Sequence, residues 1–183
     1  MRGENVEQPA PRQPEALTPP IEALDDGTTY ALTFDTSCGR FVVDLDTGLA
    51  PNTAASLVAL AGRGYFDGTV FHRIVPGFVI QGGDPTQTGS GGPGYKTVDA
   101  PPQDSCYLKG TFAMAKTQAE PAGTAGSQFF VVTGEDVGLP PDYAIVGEVT
   151  DGLDVVERIG ELGGADERPT QPVVIRRVVV NES

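Results

Sequence analysis

The chain has 183 residues, 39% of them hydrophobic and 20% charged, a balance that supports one globular domain with or without a tail and excludes wholesale disorder. Twenty-five acidic residues against twelve basic ones leave a net charge of −13, whose field repels nucleic-acid phosphates and anionic membrane surfaces. Two cysteines and one histidine are too few for a four-ligand zinc site, and no run of about 18 apolar residues offers a membrane span.

Residues 1–28 carry Pro9, Pro11, Pro14, Pro19 and Pro20 among Gln, Glu and Ala. So little apolar surface cannot offset the entropy of ordering, which predicts a flexible, partly extended tail or linker ahead of a domain at 29–183. The alternative is that its last part docks through Ile21 and Leu24. Thr29 to Phe34 and Phe41 to Leu45 then read as strands around a turn at Ser37-Cys38-Gly39-Arg40. Leu49 to Gly62 reads as a helix, with Pro51 suited to its first turn and Ala and Leu to its body. Thr69 to Ile74 and Phe78 to Gln81 look like strands joined at Pro76-Gly77, and residues 84–110, rich in Gly and Pro, predict loop. Further strands are expected at Thr111–Ala115, Gln128–Val132, Tyr143–Val149 and Val173–Val180, with a second helix at Leu153–Ile159. Many short strands with two helices predict a closed or sandwiched antiparallel sheet.

Two familiar signatures fail on inspection. Gly89-Ser90-Gly91-Gly92-Pro93-Gly94 matches a dinucleotide fingerprint formally, but Pro93 and the following Tyr95-Lys96-Thr97-Val98 cannot open the helix that such a site needs. Neither Ser90 nor Ser127 sits in a nucleophile elbow. The informative stretch is Phe71-His72-Arg73-Ile74-Val75-Pro76-Gly77-Phe78-Val79-Ile80-Gln81-Gly82-Gly83-Asp84, where Arg73 and Gln81 lie on otherwise apolar strands. An arginine there needs partners or a cleft to line. Either a nearby carboxylate holds it, or it is a donor set in an apolar groove walled by Phe78 and Val79. Gly126-Ser127-Gln128-Phe129-Phe130-Val131-Val132 favours the groove, because one polar side chain and two aromatics on a strand suit the floor of an apolar site.

At these two segments the sequence resembles the cyclophilins, peptidyl-prolyl cis-trans isomerases, and the likeness extends from about Thr29 to Val180. The resemblance implies a mainly β fold, a closed eight-stranded antiparallel barrel capped by two α-helices. It also implies that Arg73 is catalytic, with His72 beside it and Gln81 assisting. The implied proline pocket comprises Phe78, Val79, Gln81, Phe130, Leu139 and Tyr143, the last standing where many members have histidine. Ala115, Lys116, Thr117 and Gln128 match the groove for residues preceding the proline. Val79 replaces the usual Met, and Lys116-Thr117 replaces a common Asn-Ala. Gly138 falls where many eukaryotic members carry tryptophan, so weak cyclosporin binding is expected.

Isomerisation rotates an amide without breaking a covalent bond, so neither metal nor cofactor is expected. The predicted partners are proline-containing polypeptides, with an assisting role in protein folding, and the chain is expected to be a monomer. A non-catalytic proline-binding module or a chaperone using the same groove is the alternative. Whether Cys38 and Cys106 pair is left open by the sequence. A cytoplasmic location is the default reading, with an extracytoplasmic one open should a signal or tether precede Met1.

Overall fold

The computed structural model describes residues 5–183. The strands are β1 (Tyr30–Thr36), β2 (Gly39–Leu45), β3 (Thr69–Val70), β4 (Arg73–Val75), β5 (Val79–Gly82), β6 (Thr97–Val98), β7 (Thr111–Met114), β8 (Thr124–Ala125), β9 (Phe129–Val132), β10 (Ile145–Asp151) and β11 (Val174–Glu182), and the helices are α1 (Pro51–Gly62) and α2 (Leu153–Gly160). Nine strands form one antiparallel sheet in the order β3-β11-β1-β2-β10-β7-β9-β5-β4, and β6 pairs with β8 beside it.

The two edges of the large sheet, β3 and β4, are neighbours in sequence, separated by Phe71 and His72. The chain therefore joins the sheet's first strand to its last. Counting Thr69–Val75 as one strand broken at that corner gives eight strands closed into a barrel. Gly68 and Phe71 donate to the carbonyls of Ile175 and Val173 across the seam, at 2.8 and 3.0 Å. The sequence predicts an unbroken strand from Thr69 to Ile74; the corner interrupts it because Phe71 turns fully inward while Arg73 must face the outside.

Alternation sorts the side chains. Leu32, Phe34, Phe41, Ile74, Ile80, Phe112, Met114, Phe129 and Val131 fill the barrel interior with α1 and α2 residues. Phe34 stacks on Phe41 at 4.7 Å and Phe112 on Phe129 at 4.9 Å, offset aromatic pairs that add to the burial of each ring. Pro51 opens α1, as expected, but the helix start is capped from outside. Asp99 of the long loop accepts from the Thr53 backbone N–H (2.7 Å) and hydroxyl (2.6 Å), because Ala50 at the cap has no side-chain acceptor. Helix α1 packs against β1 and β11, and α2 against β2, β4 and β5.

Residues 5–28 form no regular element, but their contacts differ from those of a free tail. Arg12 and Leu17 donate backbone hydrogen bonds to the carbonyls of Pro85 and Pro93, at 2.9 and 2.7 Å. The Arg12 guanidinium lies 5.7 Å from the centre of the Tyr65 ring and donates to the Tyr65 carbonyl. Leu17 and Leu24 pack against the main core, whereas Ile21 is 99% exposed. Cys38 and Cys106 are free thiols, and burial raises the Cys38 pKa.

Candidate active site

The outer surface of the barrel carries a second, smaller apolar cluster of Val79, Tyr107, Ala113, Phe130 and Val132, against which Phe78, Ala115, Leu139 and Tyr143 pack. Strand register builds it. Arg73 pairs with Gln81, Gln81 with Phe130, Phe130 with Ala113 and Ala113 with Ile145, so one row across β4, β5, β9, β7 and β10 points outward. The residues one step along on each strand point into the core. A polar pair, an aromatic ring and a small alanine thus lie side by side because of period-two alternation alone.

Arg73, Phe78, Val79, Gln81, Ala115, Lys116, Phe130, Leu139 and Tyr143 line a cavity of about 140 Å³ on this row. Every residue expected for the proline pocket is among them. A neighbouring cavity of about 130 Å³ shares Gln81, Ala115 and Lys116 and adds Thr117, Gln128 and Gly91. The two adjoin at these shared residues, most side chains lining the first being apolar and the second being lined mainly by polar side chains and glycine.

A chain of hydrogen bonds runs along the groove. Arg73 Nη1 donates to Gln81 Oε1 at 3.3 Å, Gln81 Nε2 to Gln128 Oε1 at 3.2 Å, and Gln128 Nε2 to the Gly91 carbonyl at 3.0 Å. Arg73 Nε also donates to Glu167 Oε2 at 2.7 Å. Both readings of the arginine are therefore realised together, since a carboxylate holds it and it lines an apolar pocket. Glu167 was not legible from the sequence, being 94 positions away.

Behind Phe130 and Tyr143 stands the fully buried Tyr107, a residue that sequence reasoning missed. Its hydroxyl donates to the Tyr143 carbonyl at 2.7 Å and accepts from the Tyr143 N–H at 3.0 Å. The Phe130 and Tyr143 rings meet edge to face at 5.5 Å, completing a braced wall. Lys116, expected in the groove, lines both cavities. Its side chain is 1% exposed and its ammonium is spent on Asp142 (2.5 Å) and on the carbonyls of Thr117 and Glu120 (3.2 and 3.1 Å). It also lies 5.5 Å from the Tyr143 ring centre. The charge thus ties two groove loops together.

His72, expected beside Arg73 among the catalytic residues, lies to one side of the pocket. It is absent from the pocket lining and borders another cavity, with Gln8, Gln87 and Arg168. Burial lowers its pKa, the nearby Arg73 charge adding to that effect while Asp84 and Gln128 oppose it, and its Nδ1 has no hydrogen-bond partner among the described residues.

The loop that supplies Gly91 is organised by Asp84, which is fully buried. Its Oδ1 accepts from the Thr86 N–H and hydroxyl, at 2.8 and 2.7 Å. Its Oδ2 accepts from the N–H groups of Thr88, Gly89 and Gly91, at 3.1, 2.7 and 3.1 Å. Burial opposes ionisation here, but these hydrogen bonds outweigh it and the pKa is lowered. Only glycine fits at 91, where a Cβ would collide with the carboxylate.

Comparison with known proteins bears on this arrangement. Residues 31–180 match the family model for cyclophilin type peptidyl-prolyl cis-trans isomerase/CLD. Peptidyl-prolyl cis-trans isomerase A of Mycobacterium tuberculosis is 38% identical over 171 residues, covering 84% of this chain and 93% of that protein. Peptidyl-prolyl cis-trans isomerase-like 1 of Emericella nidulans is 40% identical over 157 residues, covering 83% and 95%. A crystal structure of a Cryptosporidium parvum cyclophilin type peptidyl-prolyl cis-trans isomerase, obtained in the presence of the dipeptide Ala-Pro, superposes with a TM-score of 0.76 at 29% identity, over 84% of this chain and 99% of that one. With its barrel, its outward row and these relatives, the chain belongs to the cyclophilin-type peptidyl-prolyl cis-trans isomerases.

Proposed function

We propose that the groove binds Xaa-Pro segments of polypeptides with the proline ring between Phe78, Val79, Phe130, Leu139 and Tyr143, and that Arg73 is the group that accelerates rotation. The planar amide resists rotation with a barrier near 20 kcal/mol. At 90° of twist the prolyl nitrogen loses conjugation and regains a lone pair. A donor aimed at that nitrogen stabilises the twisted state more than either planar state, which is what lowers a barrier. A millisecond turnover asks for a reduction of about 5–6 kcal/mol from an uncatalysed step of tens of seconds or more.

The supporting observation is the position of the guanidinium. Arg73 lines the mouth of an apolar pocket with Nε and one Nη hydrogen already engaged, so its plane is fixed while three N–H donors are left over. Its charge is permanent near neutral pH. Gln81 completes the hydrogen-bonding edge for the substrate carbonyl, and the apolar wall keeps water from competing for the donor. Ala115, Thr117 and Gln128 would receive the residues preceding proline in the adjoining cavity. Assistance to folding chains follows from the same chemistry.

Exchange NMR on a short Ala-Pro peptide with substoichiometric protein tests this reading. Cis and trans resonances exchanging on the millisecond scale are the expected result. Saturable binding with the uncatalysed exchange rate would make the groove a docking module instead.

A further inference from the structure

We propose that Glu167 is a positioning residue of the isomerase site, holding the Arg73 guanidinium in the plane from which it reaches the prolyl nitrogen. The inference deepens the reading of Arg73 given above and rests on it.

Glu167 is one of two non-glycine residues with a positive φ among the described residues, at 63°. That conformation is unfavourable for a side chain with a Cβ and persists where the surroundings impose it. Here a turn imposes it. Gly164 donates to the Arg168 carbonyl at 2.7 Å, and Glu167 donates to the Gly164 carbonyl at 3.1 Å. The Ile74 N–H of β4 donates to the Glu167 carbonyl at 2.8 Å, so the turn is fastened to the residue that follows Arg73. Gly163 sits so close to the Ile74 carbonyl and Pro76 that a Cβ would not fit, which seats the turn directly on β4.

The result is a carboxylate delivered to Nε, the one guanidinium nitrogen bonded to the side-chain stem. A bond at Nε fixes the orientation of the group without using the terminal nitrogens, and Gln81 takes a single Nη1 hydrogen from the other side. Held from both flanks, the fork loses little freedom when it meets the twisted amide, an advantage of pre-organisation. The side chains of Arg73 and Glu167 are 36% and 52% exposed, so an ion pair of this kind contributes little to stability. Backbone strain at a residue that adds little stability is accounted for by a task at the site.

The test compares E167G, E167Q, R73A and the double variant E167G/R73A by exchange NMR, thermal unfolding and the Arg73 Nε–Hε resonance. Glycine accepts the left-handed backbone and removes the carboxylate, so E167G is expected to keep or raise Tm while kcat falls about fivefold or more and KM changes less than about twofold. E167Q keeps an acceptor for Nε and should restore kcat to within about twofold of the parent. The Nε–Hε signal should exchange slowly with water in the parent and in E167Q and broaden in E167G. In the R73A background, E167G should change nothing further. Turnover of E167G equal to or faster than the parent, with R73A inactive, would overturn the proposal and leave Arg73 in place. R73A turning over like the parent would instead remove the reading on which both rest.

Discussion

Replacing Asp84 by Asn removes one charge and alters no volume, yet it should disturb both the stability and the groove. In the protein Oδ2 accepts three backbone N–H bonds, from Thr88, Gly89 and Gly91, while Oδ1 accepts two from Thr86. The amide oxygen of Asn can serve one set, but its NH2 then faces N–H donors across the other. Hydrogen bonds to a buried charge contribute about 1.5 kcal/mol or more each, so losing three costs several kcal/mol, less what the loop recovers by opening locally to water. We expect a net loss of about 3 kcal/mol, which for a domain of this size lowers Tm by roughly 6–12 °C. Because Gly91 belongs to the loop and its carbonyl receives Gln128, KM for peptide substrates should rise as well. Thermal unfolding at pH 7 together with peptide kinetics measures both. The pH dependence follows with a definite sign. The Asp84 pKa is lowered in the folded state, so its stabilisation is present above the unfolded value and is lost as the pH falls below 3.8 through the folded value. A variant melting within about 2 °C of the parent, with unchanged KM, would refute the reasoning.

Removing residues 1–26 should lower Tm by about 4–8 °C, because Leu17, Leu24 and the Arg12–Tyr65 contact are lost and each partly buried leucine contributes on the order of 1 kcal/mol. An unchanged Tm would restore the picture of a free tail. H72Q should retain most of the parental turnover, and the parent's kcat should stay flat from about pH 6 to 8, because His72 lies outside the pocket lining, burial lowers its pKa, and the reaction moves no proton. A bell-shaped profile centred in that range would contradict this. Cyclosporin should bind weakly, since the backbone at Gly138 faces open space and supplies neither a ring nor an N–H donor of the indole type. Losing both contacts costs on the order of 2–3 kcal/mol, which calorimetry against a tryptophan-bearing member of the family would register.

The parts of the fold that depend on local pattern were legible in the sequence. Alternation on Phe129-Phe130-Val131-Val132 and on Val79-Ile80-Gln81 separates core from groove, and Pro51 marks the start of α1 where the structure has it. The residues that the family resemblance implies for a proline pocket line one cavity, Val79, Gln81 and Phe130 from strands and Phe78, Leu139 and Tyr143 from the connecting segments. What the sequence concealed depends on side-chain direction and distant pairing. Nothing local distinguishes a lysine facing solvent from Lys116, which is turned inward onto Asp142. The corner at Phe71-His72 hides in a continuous apolar run, and its position follows from barrel closure rather than propensity. The sequence reads the first 28 residues as a flexible tail because they carry few apolar side chains, with docking of the last part as the alternative; in the described part Leu17 and Leu24 pack on the core, and backbone hydrogen bonds to Pro85 and Pro93, which leave no compositional trace, add to them. Glu167 meets Arg73 through a turn contributed after α2, and Tyr107 reaches Tyr143 from a loop that reads as a string of turn residues.

The central claim is that Arg73 stabilises the twisted amide rather than the bound peptide. It is tested most directly by measuring the catalysed cis-trans exchange rate of Arg73→Ala at saturating peptide, alongside the peptide Kd and the circular dichroism spectrum. Pocket walls at Phe78, Phe130, Leu139 and Tyr143 are untouched by the substitution, so Kd should stay within about threefold while the rate falls by roughly two to three decades. An exchange rate within about threefold of the parent, with an unchanged spectrum, would contradict the assignment and shift the search for the donor to Gln81 or a backbone N–H.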